Sequence, residues 1–222
     1  MTIGQTKHKT LFISDLHLGS HNCKAKRLYE FLWRHDADRI YLIGDIVEMR
    51  SKNKWPPFHD NVLRILAQKA QDGTELVFIP GNHDSVFRYH VGDYGNLRIA
   101  NHASHDCVNG ETLLVIHGDE TDLFRIDIIL WLIVKFEHLT GLSLWNLLRK
   151  YFSRLIGSHV QAFENKMMAL AHDRGFLGVV CGHIHMPNIV DRGAFYLNPG
   201  DFTHHCTAIA EDHKGHFKIL YG

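Results

Sequence analysis

The chain has 222 residues and is 45% hydrophobic, which suffices for one large domain with a buried core. Its 24 Lys and Arg residues balance its 24 Asp and Glu residues, so it lacks the positive charge typical of nucleic-acid-binding proteins, and we do not expect a nucleic-acid partner. No apolar run reaches the roughly 18 residues of a membrane-spanning helix, and residues 1–9 have no signal-peptide core, so we expect a cytoplasmic protein. The four cysteines are scattered along the chain, and we expect them to be reduced and mostly buried.

The first half of the chain alternates strand-like and helix-like segments. The strands are indicated by short apolar runs, and the helices by apolar residues at helical spacing, such as Leu28, Phe31 and Leu32. In chain order the pattern predicts a strand at 10–14, a helix at 24–34, a strand at 39–43, a helix at 61–70 that ends at Asp72 and Gly73, and a strand at 75–79. This order predicts right-handed crossovers and a largely parallel sheet.

The second half begins and ends with strands. The predicted strands are 112–116 and 177–181, followed by short runs divided by Gly and polar turns at 188–191, 194–197, 206–210 and 217–220. The short runs are typical of antiparallel strands. Two sheets with helices outside them give the predicted fold class, a layered α-β-β-α sandwich formed by a single domain over 1–222.

A helical insertion at about 121–172 interrupts the strands. Its predicted helices cover 123–136, 142–155 and 160–172. An insertion between two strands that carry site residues is a natural position for a lid. Its apolar side chains include Leu123, Phe124, Ile128, Trp131, Leu132, Trp145, Leu147 and Phe152. Three interpretations are open. As a lid, these side chains would line an acyl-chain groove; as a membrane-surface element, they would contact lipid beside Arg149, Lys150 and Arg154. Otherwise they simply pack in the core or in a dimer contact.

Polar side chains follow five of the predicted strands. They form the motifs Asp15-Leu16-His17, Gly44-Asp45, Gly81-Asn82-His83-Asp84, His117-Gly118-Asp119 and Gly182-His183-Ile184-His185. Any one of them alone is typical of a turn or a helix cap. Together they bring carboxylate, amide and imidazole donors to one sheet edge, as a two-metal hydrolase requires. Asp84 is expected to orient His83, which would then act as a general acid for a leaving oxygen.

These motifs resemble the signature of the calcineurin-like metallophosphoesterases, from Asp15 to His185. The chain also resembles, more narrowly, the branch that contains the UDP-2,3-diacylglucosamine hydrolases of the lipid A pathway. This narrower resemblance rests on the segments SDLHLGS, YLIGDIVE, VFIPGNHD, VIHGDETD, VCGHIHMP and NPGDFTHHCTA. The resemblance implies two metal ions and a set of ligands. The first metal would be held by Asp15, His17 and His185, the second by Asn82, His117 and His183, and both by Asp45. It also implies that His83, backed by Asp84, meets the phosphate or its leaving group.

The expected reaction is hydrolysis of a phosphate ester or diphosphate bond. Two divalent ions about 3.5–4 Å apart would lower the pKa of a shared water, which would attack phosphorus directly. The N and O donors are compatible with Mn²⁺, Fe²⁺, Zn²⁺ or Mg²⁺, and the resemblance favours Mn²⁺. Cys181 is expected to be a core strand residue rather than a ligand. The cluster of Arg50, Lys52 and Lys54 is either a phosphate contact or, as we favour, a solvated loop.

The resemblance implies a lipid-linked nucleotide substrate similar to UDP-2,3-diacylglucosamine, and with it peripheral contact with the inner face of the cytoplasmic membrane. One residue departs from this pattern, because the well-known lipid A hydrolases carry Arg at the position of His83, where more general phosphoesterases carry His. The alternative is therefore a general phosphoesterase for another nucleotide, phosphodiester or phosphoprotein. A non-catalytic scaffold is the least favoured reading, since all seven ligand positions are filled. The sequence does not indicate an oligomeric state.

Overall fold

The computed structural model describes residues 6–50, 54–121 and 145–222 of the chain. Residues 122–144 of the predicted insertion, with the helix at 123–136, lie outside this description, as do the apolar and basic side chains assigned to a lid or membrane surface. The predicted helices at 142–155 and 160–172 are joined, from residue 145 onward, in one helix, Trp145–Asp173, so the predicted break between them is wrong. Within the described residues, no helix is long and apolar enough to cross a membrane.

The described elements alternate as the sequence predicts, with three additional short strands. In chain order they are β1 (Thr6–Ser14), α1 (Ala25–Arg34), β2 (His35–Ile43), α2 (His59–Gln71), β3 (Glu75–Ile79), β4 (Gly92–Tyr94), β5 (Leu97–Ile99), β6 (Ala103–Asp106), β7 (Thr112–Val115), α3 (Trp145–Asp173), β8 (Gly178–Val180), β9 (Asn188–Asp191), β10 (Phe195–Asn198), β11 (Thr207–Glu211) and β12 (Phe217–Tyr221). The sequence pattern did not predict β4, β5 or β6. Asp72 caps α2, and Gly73 follows it with a left-handed φ of 105°, as predicted.

The strands form two sheets. The first has seven strands in the order β12-β11-β1-β2-β3-β5-β4, and the second has five in the order β6-β7-β8-β10-β9. The pairs β1–β2, β2–β3 and β3–β5 are parallel, which confirms the predicted parallel pairing of the central strands. The tail strands pair antiparallel in β9–β10 and β11–β12, but β10 also runs parallel to β8. That second pairing joins the tail to the sheet that carries β7 and β8.

The buried apolar side chains form three layers, one between the two sheets and one on the outer face of each sheet. Alternate residues of β1 point to opposite faces, so Leu11 and Ile13 pack under α1 and α2, while Phe12 packs between the two sheets. The Phe12 ring stacks on Tyr41 at 5.2 Å between centroids, an arrangement that adds about 1 kcal/mol beyond the buried area. Phe163, Met167 and Ala171 of α3 cover the outer face of the second sheet. This is the predicted α-β-β-α sandwich, and residues 11–13 of β1, 40–43 of β2 and 76–79 of β3 are all apolar because both faces of these segments are buried.

All four cysteines are buried and free. Cys181 directly follows β8 and is fully buried in the core between α3 and the second sheet. Burial raises the pKa of its thiol strongly, which favours the protonated form over a metal-binding thiolate. Its predicted role as a core residue agrees with this position.

Candidate metal centre

The predicted ligands lie where strands of the two sheets end side by side. Asp15 directly follows β1, and Asp45 lies two residues beyond β2. The backbone N–H of His183, from the loop after β8, donates to Asp15 Oδ2 at 3.0 Å. His117 Nε2, from the loop after β7, lies 3.5 Å from Asp45 Oδ2. Each carboxylate of the first sheet therefore meets an imidazole-bearing loop of the second.

The backbone at these positions is strained. Six non-glycine residues have a positive φ within the part of the chain that the structure describes. Five of them are predicted ligands, namely Asp15 (52°), His17 (49°), Asp45 (52°), His183 (70°) and His185 (55°). A left-handed backbone costs a non-glycine residue about 1–2 kcal/mol. Such strain concentrates at functional sites, so its coincidence with the predicted ligands supports this location for the site.

A first group of side chains consists of Asp15, His17 and His185, whose ligand atoms all lie within 4.8 Å of one another. His185 Nε2 lies 3.1 Å from Asp15 Oδ1. Asp15 is fully buried, yet its Oδ1 has no partner in hydrogen-bond geometry, because His185 approaches it outside that geometry. A buried carboxylate oxygen without a donor is costly in a folded protein. This oxygen is therefore suited to bind a cation.

A second group lies beside the first. Asp15, Asp45 and His117 also have ligand atoms within 4.8 Å of one another. Asn82 Oδ1 lies 3.3 Å from His117 Nε2, and the ring of His183 lies 5.1 Å from that of His117. Asp45 Oδ2 is 3.9 Å from His17 Nε2 and 3.5 Å from His117 Nε2. The structure thus brings all seven predicted ligands together, with Asp45 between the two groups.

Close packing in the centre requires three glycines of the motifs, namely Gly44, Gly81 and Gly182. A Cβ on Gly81 would collide with Asp45 and with His117 Nε2. A Cβ on Gly44, which has a φ of 67°, would collide with the His117 ring. A Cβ on Gly182 would collide with the carboxylate of Asp15 and the side chain of Ser14. These glycines let the loops approach closely enough for the ligands to converge.

Mutual charge stabilisation keeps the two carboxylates ionised. Burial alone would raise the pKa of Asp15, but His185 and His117 hold it below its ordinary value. Burial would likewise raise the pKa of Asp45, but its contacts with His117 and His83 hold that pKa well below its ordinary value. In return, the two carboxylates raise the pKa of His117 to about 9 despite its burial. Since a cation would have to displace the His117 proton, we expect metal binding to weaken as the pH falls.

Asp84 does not orient His83, contrary to the expectation from the sequence. Its fully buried carboxylate accepts backbone N–H bonds from Gly81 at 2.6 Å, Ile46 at 2.7 Å and Val47 at 3.2 Å. Burial raises the pKa of Asp84. Both of its oxygens are occupied by these bonds, so Asp84 fastens the loop after β3 to the loop after β2.

Glu48, which the sequence analysis did not single out, occupies the place expected for Asp84. Its Oε2 lies 2.7 Å from His83 Nδ1, a close contact whose angle falls outside hydrogen-bond geometry, and 3.1 Å from His17 Nδ1. Burial would raise the pKa of Glu48, but His83 and His17 hold it below its ordinary value. The one signal in the sequence was an acidic residue three positions beyond Asp45. Glu48 therefore connects His83 with a candidate ligand of the first group.

The changed assignment of Asp84 predicts a loss of stability. Replacement Asp84→Ala leaves three backbone N–H groups without their acceptor, at about 1 kcal/mol or more for each buried group. We expect the free energy of unfolding to fall by about 3 kcal/mol, measured by urea denaturation. Asp93→Ala, at an exposed position in β4, is the control. A drop below about 1 kcal/mol for Asp84→Ala would contradict this role.

One member of the basic cluster reaches the site. Arg50 Nη2 donates to the backbone oxygen of Asn82 at 2.7 Å, and the backbone N–H of Arg50 donates to Glu48 Oε1 at 3.1 Å. Lys54 is exposed, and Lys52 lies outside the described residues. Arg50 is exposed, as the interpretation of a solvated loop expects, but its guanidinium group is hydrogen-bonded to the backbone of a candidate ligand.

Comparison with known proteins gives the family of the chain. The family model of the calcineurin-like phosphoesterases matches residues 8–187. A UDP-2,3-diacylglucosamine hydrolase of Actinobacillus succinogenes is 32% identical over 117 residues, which cover 50% of this chain and 49% of that protein. The protein of the same name from Aeromonas hydrophila is 30% identical over 165 residues, covering 71% of this chain and 64% of that one. The chain thus spans about half to two thirds of the length of these relatives.

Among solved structures, the phosphoesterase Yfce of E. coli is similar to this chain. It superposes with a TM-score of 0.49 at 15% identity, over 91% of this chain and 87% of that one.

Proposed function

The chain belongs to the calcineurin-like phosphoesterase family, and from that premise we propose that it hydrolyses a phosphate ester or diphosphate bond with the aid of two divalent metal ions. One observation carries the proposal. Asp45 Oδ2 lies between His17 and His117, at 3.9 and 3.5 Å, so that one carboxylate faces two groups of ligands. A dinuclear hydrolase needs such a bridging position.

The donor set fits two divalent ions. Asp15, His17 and His185 would hold one, and Asn82, His117 and His183 the other, with Asp45 shared between them. The buried Asp15 Oδ1 that lacks a hydrogen-bond partner supports this assignment. Nitrogen and oxygen donors are compatible with Mn²⁺, which we favour, and with Fe²⁺, Zn²⁺ and Mg²⁺. When bound, such ions supply an activated water and offset the charge on the phosphoryl oxygens.

The residues around the ligands would then act on the substrate. His83 Nε2 lies 3.9 Å from Asp45 Oδ2, at the rim of the centre, while Glu48 approaches the other ring nitrogen. In this position His83 would donate a proton to the departing oxygen. Arg50 would hold a phosphoryl oxygen, because a guanidinium group makes strong charge-assisted hydrogen bonds to phosphate.

The substrate that we favour is a lipid-linked nucleotide similar to UDP-2,3-diacylglucosamine. The names of these two relatives, both UDP-2,3-diacylglucosamine hydrolases, support it. A lipid-linked substrate would bring the protein to the inner face of the cytoplasmic membrane, with the insertion at about 121–172 of a single domain as lid or contact surface. His83 supports the alternative of a general phosphoesterase for another nucleotide, phosphodiester or phosphoprotein.

The test is a substrate and metal panel on protein that has first been stripped of metal and then reconstituted. We expect hydrolysis of bis-p-nitrophenyl phosphate with two ions bound per chain, and faster release of UMP from UDP-2,3-diacylglucosamine, with Mn²⁺ the best of the four ions. Hydrolysis of bis-p-nitrophenyl phosphate alone would favour the general phosphoesterase. Turnover of neither substrate, with two ions bound, would contradict the proposed function.

Arg50 provides a prediction about substrate binding. Replacement Arg50→Met keeps much of the length of the side chain but removes the hydrogen bonds to phosphate, each about 1.5–3 kcal/mol for a charged pair. We expect the KM for bis-p-nitrophenyl phosphate to rise about tenfold while kcat changes less than about threefold. Lys54→Met, at an exposed position of the same cluster, should leave both constants unchanged. Equal KM values for wild type and Arg50→Met would argue against a phosphate contact.

A further inference from the structure

The motif His117-Gly118-Asp119 contains an acidic residue to which neither group of ligands gives a role. Gly118 has a φ of 112°, so the backbone turns sharply between its two neighbours. His117 Nε2 lies 3.3 Å from Asn82 Oδ1 in the centre. Both carboxylate oxygens of Asp119 lie instead 2.8 Å from Arg88 Nη2. Asp119 is therefore directed to a cation of the chain itself and away from the candidate ligands.

Arg88 joins two loops that carry candidate ligands. It lies in the short 3-10 turn that follows the loop after β3. Its Nε and Nη2 donate to the backbone oxygen of Pro80 at 3.4 and 3.1 Å, and Nη2 also donates to the Asp119 carboxylate. Pro80 is two positions before Asn82, and Asp119 is two positions after His117. One guanidinium group thus spans from the first sheet to the second beside this pair of ligands.

This bridge is better placed to fix a distance than a surface ion pair. Exposed ion pairs contribute little because solvent screens them, but the side chains of Arg88 and Asp119 are only 34% and 10% exposed. The guanidinium group is planar, so its donors have fixed directions and hold both acceptors in one geometry. Asn82 and His117 come from different sheets, and their separation therefore depends on contacts that join the two loops.

The first group of ligands is held by other contacts. The backbone N–H of His183 donates to Asp15 Oδ2 at 3.0 Å, and that of Phe202 donates to the backbone oxygen of Asp15 at 3.2 Å. These bonds tie the end of β1 to the loops after β8 and β10. The Arg88 bridge lies on the loops of the other ligand pair, so its loss should affect one metal position more than the other.

We propose that Arg88 is a positioning residue that holds Asn82 and His117 at the separation required by the second metal ion. The inference rests on the proposed function for the presence of two ions. Arg88 touches neither ion in this role and acts through the two loops, while Asp119 acts through Arg88. Without the bridge, the loops can move apart and the second ion binds more weakly.

The two ions can be measured separately by calorimetric titration of metal-free protein with Mn²⁺. A His185→Ala background removes a ligand of the first ion and so reports the second, whereas an Asn82→Ala background reports the first. We expect Arg88→Met to raise the Mn²⁺ Kd about tenfold in the His185→Ala background, at the lower end of the effect of residues that orient metal ligands. In the Asn82→Ala background the Kd should change less than about twofold.

Two further variants test how Arg88 acts. Arg88→Lys keeps the positive charge but not the planar group that reaches Pro80 and Asp119 together, so the Kd of the second ion should lie between those of Arg88 and Arg88→Met. Addition of Asp119→Asn to Arg88→Met should weaken this ion no further, because Asp119 acts through a group that is already gone.

The pair of Arg174 and Glu120 offers a matched control. Arg174 Nη2 lies 3.3 Å from Glu120 Oε2, in the same short turn as Asp119, and both side chains are exposed. This ion pair joins that turn to the end of α3 and not to the loop after β3. Arg174→Met should therefore leave the Mn²⁺ Kd unchanged in both backgrounds.

Two results would overturn the role of Arg88. One is an unchanged Kd for the second ion in Arg88→Met, and the other is equal weakening of both ions, which would indicate a general effect on the fold. Thermal unfolding of the metal-free proteins is measured alongside, and if Arg88→Met does not fold, Arg88→Lys supplies the comparison. Failure of the proposed function looks different. A protein that hydrolyses no phosphoester, but in which Arg88→Met weakens the second ion alone, would retain this inference.

Discussion

Replacement Asp45→Asn is expected to lower kcat/KM for bis-p-nitrophenyl phosphate about a thousandfold. The change removes the charge that the structure places between the two groups of ligands, 3.9 Å from His17 and 3.5 Å from His117. Loss of a thousandfold corresponds to about 4 kcal/mol of transition-state stabilisation, within the several kcal/mol that a metal centre supplies to charged transition states. Metal analysis of the variant should find fewer than two ions per chain.

The same replacement should leave the fold intact. Asp45 Oδ1 accepts the backbone N–H of His83 at 2.8 Å, and the amide oxygen of Asn can accept the same bond. In the metal-free protein the pKa of His117 is raised to about 9 despite its burial, and Asp45 is the partner that raises it most. We expect this pKa to fall in the variant. NMR titration of His117 measures this shift. Asp212→Asn, in the β11–β12 turn, is the control for an Asp that lies far from the centre.

An unchanged rate would count against the bridging position if two ions remained bound. A variant that lost activity because it was unfolded would be uninformative, so thermal unfolding of both metal-free proteins is measured alongside. A melting temperature within a few degrees of wild type keeps the comparison valid.

The central strands could be predicted because the pattern that marks them is local. Residues 10–14, 39–43 and 75–79 are nearly all apolar, since β1, β2 and β3 are buried on both faces between helices and the second sheet. The start of β2 was set four residues too late. His35 to Asp38 are mostly polar, and they are strand only because they pair with residues 6–8 of β1. That pairing is a long-range contact, which a local pattern does not contain.

The three unpredicted strands lie towards the ends of the sheets. β4 and β5 are three residues each, Gly92–Tyr94 and Leu97–Ile99, and they complete one edge of the first sheet. β6, Ala103–Asp106, is the outermost strand of the second sheet and alternates buried and exposed residues. Segments this short have too few residues for a period of two to stand out from a loop.

The convergence of the candidate ligands could be predicted because parallel strands end at one edge of a sheet, and each ligand follows a strand end. The partner of His83 could not be predicted in this way. Asp84 is adjacent in sequence but its carboxylate bonds to Gly81, Ile46 and Val47. Glu48 is 35 positions before His83 and reaches it because the next residue, Met49, donates its backbone N–H to the backbone oxygen of His83 at 3.3 Å. Adjacency along a loop does not establish that two side chains meet.

The role of His83 and Glu48 leads to the second large expected effect. Replacement His83→Ala should lower kcat for a phosphodiester with an alkoxide leaving group by about 10²–10⁴, the usual contribution of general acid catalysis. The loss should be smaller for bis-p-nitrophenyl phosphate, because p-nitrophenolate departs readily without a proton. This dependence on the leaving group separates proton donation from a role of His83 in binding metal or phosphate, which would affect both substrates alike.

Glu48→Gln should act through the same imidazole. Glu48 Oε2 lies 2.7 Å from His83 Nδ1, and the replacement removes its negative charge while keeping an amide oxygen within reach of His17. We expect a loss of about tenfold in kcat for the alkyl phosphodiester, with both metal ions retained. The double variant His83→Ala and Glu48→Gln should be no slower than His83→Ala alone, because a positioning residue has no effect once the group that it positions is gone. Fully additive losses would instead assign Glu48 an independent role, such as support of the ligand His17.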